Sequence, residues 1–139
     1  MKRLCLTLGL LAIQFTMGLQ AQVLDSRADI PFAFWLGQKL MPAGAYSIFH
    51  LASGAVLLKG EGKNQNMTSV VFLGLPASRP ETDLKGKLEF NRYGDTYFLS
   101  EVWNPNHRDG CSVQKSNREK ELASRSIPSP GREVAVATK

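Results

Sequence analysis

Residues 87–103 read KLEFNRYGDTYFLSEVW, and the reading of this stretch decides the fold. Apolar and polar side chains alternate about a central Gly94-Asp95, the composition of a two-residue turn between antiparallel strands. Folding there sets Phe90 opposite Leu99 and puts Leu88, Phe90, Tyr97, Leu99 and Trp103 on one face, with Glu89, Asn91 and Ser100 on the other. Such a sheet has one side in a core and one side toward water. Glu101 breaks the alternation, because the same register carries it onto the apolar face near Leu88.

Working outward, residues 45–60 predict a second hairpin. A two-residue turn at Ser53-Gly54 pairs Leu51 with Val56 and Phe49 with Leu58, leaving Ile48, His50, Leu57 and Lys59 on the opposite face. Between the hairpins, Glu61 to Asn66 is a polar loop and Thr68 to Leu73 a short apolar run that reads as a central strand buried on both faces. Pro76 to Lys85, with two prolines and mixed charge, reads as a surface loop. Upstream, Ile30, Phe32 and Phe34 share one side of an extended segment, with Ala33 and Trp35 on the other. Pro31 cannot donate to a ladder, so that strand belongs at an edge. Gly37 to Gly44 reads as a connection.

Downstream, Asn104-Pro105-Asn106 ends the strand, and Ser116-Asn117-Arg118-Glu119 offers a capping box for a short helix. There Ser116 accepts the Glu119 N–H, the Glu119 carboxylate reaches back, Glu121 pairs with Arg125, and Leu122 supplies the apolar contact. Residues 126–139 carry few large apolar groups and read as a disordered tail. At least five strands against one short helix predict an all-β domain, an antiparallel sandwich or small open barrel with one short C-terminal helix.

The N-terminus has a different composition. Lys2 and Arg3 precede an apolar stretch from Leu4 to Leu19, and Ala21 offers a cut before Gln22, the order of an export signal. The stretch is shorter than the roughly 20 residues of a spanning helix, and Cys5 stands at the wrong end for a lipid anchor. The expected organisation is a signal peptide over 1–21, one β-rich domain over 22–125 and the tail, secreted or periplasmic, with no stable membrane span after cleavage. Loss of Lys2 and Arg3 lowers the formal charge from +5 to +3. With basic residues dispersed among acidic ones, this excludes a nucleic-acid footprint. Of the two cysteines, Cys5 departs with the leader. Cys111 remains alone, so no intrachain disulfide forms.

Four segments together form a recognisable pattern: Ile30 to Phe34; Met41-Pro42-Ala43-Gly44-Ala45-Tyr46-Ser47-Ile48; Arg92 to Ser100 with Trp103; and Lys115-Ser116 with Arg118-Glu119. Over roughly residues 28–125 the chain resembles a family of small exported bacterial β-rich proteins that are uncharacterised. The resemblance implies an exported domain and assigns no activity to any residue.

Chemistry-bearing residues are few. His107, Asp109 and Cys111 alternate, so an extended backbone projects N, O and S donors to one side, a zinc- or copper-like set needing a fourth ligand. Against this, Asn106 to Gly110 has the composition of an exposed turn. His50 sits on a strand face where a surface role outweighs a catalytic one. Glu89, Glu101 and Asp95 are the carboxylates from which a glycosidase-like pair would have to be drawn, with solvated charge as the bland reading. No G-x-S-x-G elbow, phosphate loop or cofactor motif is present. The aromatic residues Trp35, Tyr93, Tyr97, Phe98 and Trp103 either pack a core or, exposed together, grip a ligand; Trp35, Tyr97 and Trp103 are the ligand-binding candidates. The leading expectation is a non-catalytic exported domain that binds or plays a structural role at the envelope, its ligand unspecified. The alternatives are a metal-assisted or hydrolytic enzyme using His107, Asp109 and Cys111, and a carrier of a small apolar ligand.

Overall fold

A computed structural model describes residues 23–51, 55–71, 73–78, 80, 82–125 and 131–138. The expected leader, the Ser53-Gly54 turn and residues 126–130 of the expected tail lie outside them. Among the described residues are eleven strands and one α-helix: β1 Val23–Ile30, β2 Phe34–Leu36, β3 Lys39–Met41, β4 Gly44–His50, β5 Val56–Gly60, β6 Thr68–Val71, β7 Leu73–Ser78, β8 Lys87–Tyr93, β9 Thr96–Trp103, β10 Asp109–Val113, α1 Asn117–Arg125 and β11 Gly131–Thr138. The fold is mostly β with a short helix, as the alternation predicts.

One subsheet runs β1-β4-β5-β6, the other β2-β9-β8-β11 with β10 and β7 added on β9. Two features stitch them together. β11 pairs with β8 on one side and with β1 on the other. β6 and β7 follow one another with only position 72 between them, one pairing with β5 and the other with β10. The ladders run β1-β4-β5-β6 and, separately, β7-β10-β9-β8-β11 and back to β1, antiparallel at every pairing, and the chain itself leads from β6 to β7. The small-barrel form of the expectation describes this path. The β2–β3 hairpin fills a corner of the wall: Trp35 pairs with Phe98 of β9 ahead of the point where β10 takes over, and Lys39 Nζ donates to the Thr68 carbonyl of β6 at 2.8 Å.

With β6 and β7 counted as one stave the path has eight, and an eight-stave barrel is about wide enough for side chains to fill its interior. Rings do so here. Tyr46, Phe34, Phe90, Phe32 and Tyr97 form a continuous series, with centroids 5.5, 5.3, 5.1 and 4.0 Å apart, edge to face except for the stacked Phe32–Tyr97 pair. Ile30, Met41, Ile48, Val56, Leu58, Leu88, Leu99 and Val102 pack around them. Tyr46 is fully buried, and its hydroxyl donates to the Pro42 carbonyl at 2.6 Å, so Met41-Pro42-Ala43-Gly44-Ala45-Tyr46 forms a self-bonded corner.

The second hairpin folds at Gly94-Asp95 with Phe90 opposite Leu99, as read. Glu101 then finds its explanation. A bulge at Ser100, whose Oγ donates to the Glu89 carbonyl at 2.9 Å, shifts the register by one and sets Glu101 opposite Glu89 instead of beside Leu88. Other readings need correction. Ile48 pairs with Leu58 and Phe49 with Leu57, one residue away from the predicted register, a ladder that the Leu51 N–H continues by bonding the Ala55 carbonyl at 2.9 Å. The slip turns Ile48 inward and Phe49 out. Pro31 lies between β1 and β2, and the connection from Gly37 contains β3. β7 extends through Pro76, opposite Cys111, where Pro is tolerated because β7 pairs only with β10 among the described residues. The part of the expected tail from 131 to 138 is β11. Ladder pairing orders it along its length, residues 131–136 with β8 and then 137–138 with β1.

Candidate functional site

Helix α1 lies across the outside of the barrel. Its entry is half of the expected capping box: the Glu119 N–H donates to Ser116 Oγ at 3.2 Å. The carboxylate does not reach back. It accepts instead from Asn91 Nδ2 at 2.8 Å and from the Tyr93 hydroxyl at 3.3 Å, both on β8, and Glu119 is the helix's one buried residue while Leu122 is half-buried. The expected Glu121–Arg125 pair forms at 2.6 Å on the exposed side. One residue before Glu119, the Arg118 guanidinium sits 4.2 Å from the centroid of the Trp35 ring on β2. Phe98, between Trp35 and Asn91 in the sheet, is buried edge-on to Tyr93 at 5.8 Å. Trp35, Phe98 and Tyr93 thus form a thin outer layer clamped by α1.

The three ligand-binding candidates part company. Trp103 is 7% exposed, and its Nε1 donates to Glu101 Oε2 at 3.0 Å. Its indole also fills the space above Gly110, where an added Cβ would lie 2.5 Å from the ring. Tyr97 stacks on Phe32 at the end of the interior ring series, with the Arg92 guanidinium 5.6 Å from its centroid. Only Trp35 belongs to the outer surface, half-buried under Arg118. Its register partner is Leu40, 49% exposed and the one large apolar side chain fully at the surface among the described residues. Leu40 and Arg118 escaped the sequence reading. The signal for Leu40 lay in Gly37-Gln38, a two-residue turn with Gly37 at φ +60° that places Leu40 across from Trp35. Nothing local in the sequence marks Arg118 as the partner of a ring so distant along the chain.

The metal-ligand candidates are not brought together. His107 and Asp109 are exposed, whereas Cys111 points into the core cluster, and among the described residues no three His, Cys, Asp or Glu side chains gather as an ion would require. A strand's alternation sends donors to one side only while the strand lasts, and β10 begins at Asp109, so His107 stands before it. Burial raises the Cys111 thiol above its ordinary pKa, partly offset by its backbone hydrogen bond at Val102, which fits a sheltered thiol. His50 is half-buried on β4 opposite Val56.

The carboxylate candidates separate in a similar way. Asp95 is exposed in the β8–β9 turn. Glu89, 4% exposed, faces Glu101 directly across the ladder and is held by cations: Lys87 Nζ lies 3.1 Å from Glu89 Oε1, and Arg132 Nη1 from β11 lies 3.0 Å from Oε2, with Nη2 3.9 Å from Glu101. Lys87 also donates to Asp83 at 2.8 Å, the main cause of a Lys87 pKa held above the ordinary lysine value. This geometry is that of charge neutralisation, which like charges opposed in a sheet require.

Three weak acids share one direction of shift. Burial raises Tyr46 and Tyr93, the latter also through the charge and hydrogen bond of Glu119, and burial likewise raises Cys111. The folded state therefore keeps protons that the unfolded chain loses above about pH 9 to 10. Stability should hold below that range and fall as pH rises through it. Denaturant titrations at stepped alkaline pH, with tyrosinate absorbance followed in parallel, should show tyrosine ionising above its ordinary range and the folded state weakening in step.

Comparison of the chain with protein-family models, with curated proteins and with solved structures found no match in any of the three. Among the described residues, no helix is long and apolar enough to cross a membrane.

Proposed function

We propose that this chain is an exported, non-catalytic β-domain that binds an envelope or extracellular partner through the outer face of its β2–β3 hairpin. The observation that carries this reading is Leu40, 49% exposed and directly opposite Trp35, whose other flank is held by Arg118. A tryptophan ring and a guanidinium are the residue types enriched among interface anchors, and the exposed Leu40 beside them adds apolar area to be covered. The hairpin is fixed to the barrel at both ends, by the Trp35–Phe98 register and by the Lys39–Thr68 bond, so the patch is preorganised. The ring-filled interior favours this reading over an apolar carrier, and the separation of His107, Asp109 and Cys111 favours it over a metal-assisted enzyme.

Co-sedimentation of the mature chain, whose N-terminus should sequence from Gln22, with isolated peptidoglycan and with anionic lipid vesicles tests the reading. Binding to one of the two should weaken at least about tenfold in a Trp35→Ala, Leu40→Ser double variant that keeps its β-type circular dichroism. His107→Ala and Asp109→Ala should leave it unchanged. Full binding by the double variant, or none by the parent chain to either probe, would sink the proposal.

A further inference from the structure

The last strand closes the barrel, and the way it is held points to a second use. Among the described residues, β11 shares six register pairs with β8, from Gly131–Arg92 to Val136–Lys87, and then two with β1, Ala28–Ala137 and Arg27–Thr138. Its charged attachment is Arg132, which supplies one of the two cations at the buried Glu89 and also reaches Glu101. Were β11 withdrawn, β8 from Lys87 to Arg92 and β1 at Arg27 and Ala28 would each lose a ladder partner, and the opposed Glu89 and Glu101 would lose the Arg132 cation, keeping Lys87 on Glu89 and the Trp103 Nε1–H on Glu101. An empty slot is therefore costly, and the slot is selective for an extended segment bearing a cation at the Arg132 position.

We infer that β11 is an exchangeable stave, and that the slot between β8 and β1 accepts the C-terminal strand of a second copy of this chain to give a reciprocally swapped dimer. The same ladder bonds and the same Arg132–Glu89 contact form whether the strand arrives from its own body or from a second one, so exchange conserves the interactions and closes with two-fold symmetry. Between α1 and β11 stand five positions that include Pro128 and Pro130, neither of which has a backbone donor to tie the strand to its own body. The two-pair seam with β1 is the side from which the strand detaches.

The test uses full-length chains in a Cys5→Ser, Cys111→Ser background, so that no native cysteine remains. A Cβ at Gly131 would lie 3.8 Å from the Arg92 Cβ, the spacing a disulfide uses, and both positions are exposed. One preparation carries Gly131→Cys, another Arg92→Cys, and a third carries both. The double variant should close within one chain. An equal mixture of the single variants, taken through partial denaturation at high concentration and reoxidised, should give a mixed dimer of twice the chain mass, well above the homodimers that random collision produces. Closure within one chain together with no excess of mixed dimer overturns the proposal. A second measurement needs no substitution. The unaltered chain refolded at roughly 1 mM should show by light scattering a dimer that persists for hours after dilution to about 10 µM, because dissociation requires unzipping a strand. Monomer alone at both concentrations overturns the proposal whatever the cysteine variants do.

Discussion

Replacing Phe90 with alanine should lower the unfolding free energy by about 4 kcal/mol, the range for emptying a buried aromatic position. Phe90 is fully buried and is the ring that both Phe32 and Phe34 meet edge to face, at 5.1 and 5.3 Å, so its loss cuts the interior series in two. The midpoint of thermal unfolding should fall by about 15 °C for a domain of this size. Tyr97→Phe, at the half-buried end of the same series, keeps the ring and should cost less than about 1 kcal/mol. Chemical denaturation of the two variants checks both figures, and a Phe90→Ala loss below that of Tyr97→Phe would contradict the ring-filled interior.

A single methyl group at Gly60 should be nearly as damaging. A Cβ there would lie 2.2 Å from the backbone oxygen of Asn64 and 2.8 Å from its carbonyl carbon, and these atoms cannot swing aside as a side-chain tip would. Asn64 is the last residue of a 3-10 turn over Gly62–Asn64 and is pinned from several directions. Its carbonyl accepts the Met67 N–H at 2.7 Å, its Nδ2 donates to the Ala43 carbonyl at 2.9 Å, and Gly60 itself donates to the Met67 carbonyl at 2.7 Å. Gly60→Ala must either break this knot or bend β5, and should cost about 3 kcal/mol. Gly94, at φ +61° in the β8–β9 turn with open space around it, is the contrasting site. Gly94→Asn should stay within about 1 kcal/mol of the parent, since asparagine tolerates that backbone region. Differential scanning calorimetry of the pair separates a steric requirement for glycine from a conformational one.

The residues that made the fold readable were those whose alternation was undisturbed. From Leu88 to Leu99 the pattern placed the turn, the register and the core-facing residues correctly, and it flagged Glu101 as an inconsistency at the point where Ser100 bulges out, but the side expected to face water also buries Glu89, Tyr93 and Phe98. Elsewhere the information was not local. In the first hairpin either register buried apolar side chains, since Ile48, Phe49, Val56, Leu57 and Leu58 are nearly contiguous, so turn length alone decided between them. β1 was hidden because its inward residues include the small Ser26 and Ala28, set between charged Arg27 and Asp29. β11 was invisible for a related reason: its backbone pairing with β8 and then β1 is set by tertiary structure and leaves no mark in so small-residue a sequence. At the candidate site, Trp35 was legible as an aromatic on the minority face of its segment, whereas Arg118 acquires its role only once α1 is laid across the sheet. Glu119 followed the same pattern, with capping chemistry evident from spacing but its carboxylate redirected to Asn91 and Tyr93 by tertiary packing.

Arg27 beside Thr138 makes the first and last strands neighbours. Partners more than a hundred residues apart along the chain meet late in folding, because the loop between them must be closed before the contact rewards it. The β1–β11 seam should therefore be the last part of the wall to form, after the hairpin-linked strands on either side of it have already zipped.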